Sequence, residues 1–127
     1  MRYIYVMVFL LVLPNFVRAE TFTLRECNEL ASEVNAAISN MQVDSITILR
    51  NAVCLPPATL NYYYDLTIVA TKDDIDFAIL KRNNTQVWCT DPNMRMLLDS
   101  LTSVAYTYRD KNGTYIGQYA IRKSECT

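Results

Sequence analysis

The sequence predicts an α+β fold: an N-terminal helix, an antiparallel β-hairpin, two helices and a C-terminal hairpin, giving one antiparallel sheet packed on helices and held by two disulfides. Three observations carry this. Apolar residues recur at helical spacing between Leu24 and Ile38, then alternate at period two between Leu60 and Val69. Asn112-Gly113 stands between two further alternating runs, which is a strong hairpin signal. Four cysteines (Cys27, Cys54, Cys89 and Cys126) are an even set, as a disulfide-stapled domain requires.

Taken in order, Thr23-Leu24-Arg25-Glu26 has the form of a capping box, in which hydroxyl and carboxylate satisfy each other's backbone amides. Leu24, Cys27, Ala31, Val34 and Ile38 then form one helical stripe, ending near Asn40. Val43 to Leu49 is rich in β-branched residues and reads as a strand. Pro56-Pro57 breaks the ladder, because proline lacks the donor a sheet needs. In the run from Leu60 to Val69, Leu60, Tyr62, Tyr64, Leu66 and Ile68 share one face, and Tyr63, Asp65, Thr67 and Val69 the other. Asp73 is placed to cap a second helix with Ile75, Ile79 and Leu80 inward, weakened at Asn83-Asn84. Asp91-Pro92 starts a third, since aspartate caps and proline suits the first helical position. Met94, Leu97, Leu98 and Leu101 give it an apolar face, and Val104–Tyr108 and Thr114–Ile121 form the last hairpin.

Ahead of this domain, residues 1–19 read as a cleavable export signal. Arg2 is followed by ten uncharged residues, Ile4 to Leu13, about half of the 20 or so needed to cross a bilayer. Val17-Arg18-Ala19 offers a small residue at the cleavage point, so the mature chain is expected to be a single domain, residues 20–127, with no stable membrane span. Cleavage removes Arg2 and Arg18, leaving ten basic against thirteen acidic residues, a net charge of −3 on 108 residues. An acidic chain without a basic stripe is a poor nucleic-acid binder. Export also sets the oxidising compartment, periplasmic or extracellular, in which the cysteines pair. Four cysteines allow three pairings. If the first helix runs up from Cys27 and the next strand returns, Cys54 ends beside Cys27. The same argument applied to the third helix and last strand brings Cys126 to Cys89.

Candidate sites are few. The chain has no histidine, the commonest general base and metal ligand, and only two glycines, so a phosphate-cradling loop is excluded. Neither a nucleophile motif nor a cofactor motif occurs, and the expectation is a non-enzymatic protein. Tyrosines are the one excess: Tyr62, Tyr63, Tyr64, Tyr106 and Tyr108, with Tyr115 and Tyr119, are placed to line a sheet face that binds another protein. Asp73, Asp74 and Asp76 are a possible cation site, or simply acids favoured at a helix start. Asp65, Asp99 and Asp110 show no catalytic spacing. Asn83 and Asn112 open glycosylation acceptor triplets, both expected in loops and relevant only to a eukaryotic chain. Trp88, beside Cys89, is expected to pack against the disulfide.

Over residues 60–126 the sequence resembles small exported bacterial proteins of unsettled function. The resemblance lies in Cys89-Thr-Asp-Pro, Met94 with Leu97-Leu98, Tyr106-Thr-Tyr-Arg-Asp-Lys-Asn-Gly113, Tyr115-Ile-Gly117 and the closing Cys126. It implies periplasmic export and agrees with the Cys89–Cys126 pairing, but transfers no active site. A helix followed by antiparallel strands also looks like a cystatin, yet that inhibitor's Gln-x-Val-x-Gly loop is absent. The leading expectation is therefore an exported protein-binding factor of the immunity, inhibitor, exclusion or secretion-accessory kind, its partner another protein in the envelope or outside the cell. The other classes are a secreted eukaryotic glycoprotein with an inhibitor-like role and a small acidic cation-binding domain.

Overall fold

A computed structural model of the chain describes residues 21–38 and 40–126, so the export signal lies outside the described residues. The first helix, α1 (Leu24–Ile38), starts where the capping box places it. The Thr23 amide donates to Glu26 Oε1 at 3.0 Å and the Glu26 amide to Thr23 Oγ1 at 3.1 Å. Its buried stripe is Cys27, Leu30, Ala31, Val34 and Ile38. Leu24, expected on that stripe, points to solvent, and Leu30 takes the inward position one turn after Cys27.

The single strand expected at 43–49 is in fact a hairpin. β1 (Met41–Asp44) and β2 (Thr47–Leu55) flank a turn in which Asp44 Oδ1 accepts from the Ile46 amide at 2.9 Å. An aspartate that bonds the backbone two residues on makes a turn inside an otherwise strand-forming run. The chain reverses again at Pro56-Pro57 into β3 (Thr59–Leu66). Thr71–Asp74 forms a capped 3₁₀ turn, and Asp76, not Asp73, caps α2 (Phe77–Thr90). That helix runs straight through Asn83-Asn84, because Asn84 faces the core and donates to Tyr119 Oη at 2.6 Å. A tertiary partner overrides a modest propensity cost. Asn83 and its acceptor triplet therefore sit in a helix, whereas Asn112 is exposed in a turn. Asp91 caps α3 (Pro92–Ser100), accepting from the Asn93 and Met94 amides. The last hairpin is β4 (Ser103–Arg109) and β5 (Tyr115–Ile121), with Gly113 in its turn at φ +81°.

The five strands lie in the order β1-β2-β3-β4-β5. Each hairpin is antiparallel, as expected, but β3 and β4 pair in parallel, so the sheet is mixed rather than wholly antiparallel. The physical reason is the two-helix crossover: α2 and α3 carry the chain back to the end at which β3 began. Cys27 bonds to Cys54 and Cys89 to Cys126, with Cα separations of 5.8 Å and 5.4 Å.

The helices cover one face. α1 is tied over β2 by the first disulfide and by Asn35, whose side-chain amide donates to the Ala52 carbonyl at 2.8 Å and accepts its amide at 2.6 Å. β1 pairs only with the first residues of β2, so this side chain satisfies a backbone edge that no strand covers. α2 lies over β4 and β5. The opposite face carries Val53, Leu55, Asn61, Tyr63, Asp65, Ala105, Thr107 and Arg109; no described helix covers it, yet its centre at Asn61, Ala105 and Thr107 is buried, while Val53 and Leu55 are exposed.

Candidate functional site

Cross-strand register decides where the tyrosines go. Tyr62 pairs with Tyr106 and Tyr64 with Tyr108 across the parallel seam, and Tyr106 pairs with Tyr119 on β5. All five fall on the helix-covered face, at 7% exposure or less. Their rings form a ladder: Tyr62–Tyr106 centroids are 5.4 Å apart, Tyr64–Tyr108 4.9 Å and Tyr106–Tyr119 4.9 Å, with interplanar angles of 28°, 11° and 15°. Phe77 from α2 meets Tyr108 edge-on at 5.5 Å.

The expected tyrosine binding face is thereby corrected for Tyr62, Tyr64, Tyr106 and Tyr108, which are core. Offset stacking adds about 0.5–1.5 kcal/mol per pair to ordinary burial, and that is what the rings are used for. Tyr106 also accepts from Trp88 Nε1 at 2.7 Å. Its burial, and secondarily the neighbouring Tyr119, push its hydroxyl well above the ordinary tyrosine value against the opposing Trp88 bond. Only Tyr63, of the candidate five, stands on the opposite face, half-buried, where Asn61 Nδ2 donates to its hydroxyl at 3.3 Å.

The acidic candidates have structural duties. Asp74 reaches back to the Thr71 amide at 2.8 Å, and Asp76 accepts from the Ile79 amide at 3.0 Å. Among the described residues no three His, Cys, Asp or Glu side chains are placed to hold a metal ion. Asp99 pairs with Arg95 one turn away in α3. Asp110 is buried at the start of the β4–β5 turn. Burial disfavours its charge, but the amides of Thr114, Asn112 and Ala70 outweigh that and hold its carboxyl below the usual carboxylate value.

Asp65 behaves differently. It stands on the face opposite the helices, with Arg109 as its register partner on β4. A bulge in β2 between Leu49 and Asn51 brings Arg50 to its other side. Arg50 Nε lies 2.7 Å from Asp65 Oδ2 and Arg109 Nε 3.4 Å from Oδ1. These residues, with Ile48, Asp110 and Lys111, line a cleft of about 410 Å³ at one end of the face. Arg50, Arg109 and Lys111 cannot be picked out as a cluster from the sequence, because two segments far apart in the chain supply them and no local spacing announces it. The remainder of the face is quieter. Thr107 Oγ1 donates to Asn61 Oδ1 at 3.0 Å, Thr59 and Ser103 share a hydroxyl bond at 2.9 Å, and Val53 and Leu55 are 38% and 37% exposed.

No described helix is long and apolar enough to cross a membrane. No protein-family model and no curated protein matches the sequence. Solved structures do. A Pseudomonas aeruginosa protein assigned as secreted aligns over 81% of this chain and 95% of its own, with a TM-score of 0.65 and 10% identity. The type 2 secretion system pilotin EpsS of Vibrio vulnificus aligns over 81% and 90%, with a TM-score of 0.62 and 12% identity. The type II secretion system pilotin AspS of Vibrio cholerae aligns over 80% and 90%, with a TM-score of 0.59 and 13% identity. At such identities the likeness is one of fold: this chain shares its α+β fold with these bacterial proteins, two of which are described as secretion-system pilotins.

Proposed function

We propose that this chain is an exported, non-enzymatic accessory factor that acts by binding another protein of the cell envelope, in the service of a secretion apparatus. The observation that carries this reading is a sheet whose second face, covered by no described helix, exposes Val53 and Leu55 at one end and an arginine-lined cleft at the other, in a fold shared with two pilotins. Surface held on a sheet is rigid and preformed, and preformed surfaces lose little entropy on binding. Two disulfides suit a chain that works in an oxidising compartment. The mature form begins at Glu20 in this reading. Binding without chemistry also fits a chain whose four cysteines are all paired off and in which Asp74 and Asp76 serve as caps.

The test is photo-crosslinking in the source organism, with a photoreactive residue placed at the exposed Val53 or at Tyr63 on the face opposite the helices. One discrete adduct to a component of a secretion apparatus is the expected result. Adducts absent from the face, or formed only with cytoplasmic proteins, would overturn the reading. N-terminal sequencing of the purified protein checks the Glu20 start independently.

A further inference from the structure

We propose that the cleft between Arg50, Arg109 and Lys111 is an oxyanion subsite that takes carboxylates of an acidic segment of the partner protein. This inference rests on the protein-binding reading above and names the chemistry of one contact. The cleft has three cations against two carboxylates, on a chain whose overall charge is −1. The two carboxylates are not equivalent competitors for a ligand. Asp110 is buried and turned onto three backbone amides, so its charge is met from inside. Asp65 alone faces the cations, and two guanidiniums share it.

The sharing is unequal. Arg50 makes a close charge-assisted bond at 2.7 Å, whereas Arg109 approaches only to 3.4 Å, longer than such bonds run when well made. Arg109 is 45% exposed, and no described carboxylate lies within ion-pairing reach of Lys111. One planar fork and one ammonium thus remain to be satisfied on the rim of a concave site. A guanidinium fork matches a planar carboxylate with two parallel bonds.

The walls are also held. The Thr67 amide bonds the Ile46 carbonyl at 2.8 Å and the Lys111 amide the Ile68 carbonyl at 3.0 Å, tying three loops into one rim. The cleft lies at one end of this face, and Val53 and Leu55 stand exposed toward the other.

Nitrogen-15 NMR titration of the oxidised, exported protein tests this, with capped hexaglutamate as the probe and capped hexaglutamine and inorganic phosphate at matched ionic strength as comparisons. The expected result is saturable shifts confined to the amides of Ile48–Arg50, Asp65 and Arg109–Gly113, weakening as salt rises. R109Q/K111Q is expected to lower the hexaglutamate affinity about tenfold, the loss of one charge-assisted pair. K111Q alone, whose side chain supports no described ion pair, keeps the test valid if the double variant misfolds; it is expected to lower affinity about threefold. Shifts no larger than those from hexaglutamine, or affinity unchanged in K111Q, would overturn the proposal. Tighter binding of phosphate than of hexaglutamate would also overturn it, in favour of a free-phosphate site. Hexaglutamate binding without any envelope adduct would leave the cleft standing and remove the secretion role; the reverse pattern would keep the role and remove the cleft.

Discussion

Gly117→Ala isolates the packing of α2 onto the sheet. Gly117 lies in β5 opposite Tyr108, beneath the Phe77 ring. A Cβ at this position would come within 2.6 Å of Phe77 Cε2 and 2.8 Å of Cζ, against a normal carbon–carbon separation of about 3.5–4.0 Å. The ring must therefore retreat by about 1 Å, and it is not free to do so without loss. It stands edge-on to Tyr108 at 5.5 Å and tilted against Tyr119 at 6.3 Å, so retreat weakens both contacts. Overpacking of this kind costs about 1–3 kcal/mol, equivalent to a fall in melting temperature of roughly 5–15 °C for a domain of this size. Truncating the ring removes the obstacle. In a Phe77→Ala background the same glycine substitution should cost nothing, and should return about 0.4–1 kcal/mol by restricting the unfolded chain. Chemical denaturation of the four proteins of this cycle, all oxidised, should give a coupling energy of about 1.5–4 kcal/mol. Additivity within about 0.5 kcal/mol would refute the account, because it would mean the ring and the glycine do not meet.

Three further outcomes follow from the same structure. Replacing Cys27 and Cys54 by serine should cost about 3.5 kcal/mol, and Cys89 with Cys126 about 3.8 kcal/mol, from loop closure over sequence separations of 27 and 37 residues; urea titration of each pair of variants measures it. Asn35→Ala should cost about 1–3 kcal/mol by stripping both bonds from Ala52, and hydrogen exchange should speed up at the Ala52 amide more than at the centre of β3. Asp110 has a carboxyl pKa below the ordinary value of about 3.9, so its contribution is complete above that pH and is lost as pH falls through the lowered value. Asp110→Asn should therefore be less stable than the parent at neutral pH, with the gap closing below about pH 4 in acid titrations followed by circular dichroism. A gap that persists unchanged at pH 2 would mean that the charge is not what stabilises the turn.

What could be read from the sequence was local. Thr23 with Glu26, Asp91 with Pro92, and Asn112 with Gly113 each satisfy backbone groups within four residues, and each stands where its residue types place it. The pairing of Cys27 with Cys54 followed from one reversal of the chain. Alternation in β3 correctly separated Tyr62 and Tyr64 from Tyr63, but period two says only that there are two faces. Which one the helices cover depends on α1 and α2 docking through Cys54 and Tyr106, contacts made from elsewhere in the chain. The parallel seam is not legible in the sequence for the same reason, since nothing near Leu60 or Val104 records the direction of its neighbour. In the cleft, Arg50 faces Asp65 because of a bulge, and Arg109 because of that seam, so both are visible only once the strands are in register.

The disulfides join the first cysteine to the second and the third to the fourth. One bridge lies wholly before the α2–α3 crossover and the other spans from within it to the chain's end, so neither crosses the β3–β4 seam. For a chain entering an oxidising compartment N-terminus first, the correct partner of Cys27 is the next thiol to arrive, and Cys89 meets Cys126 only after the first pair has been consumed. Order of emergence alone therefore selects one of the three possible pairings. Each bridge can therefore form within its own half before the two halves assemble.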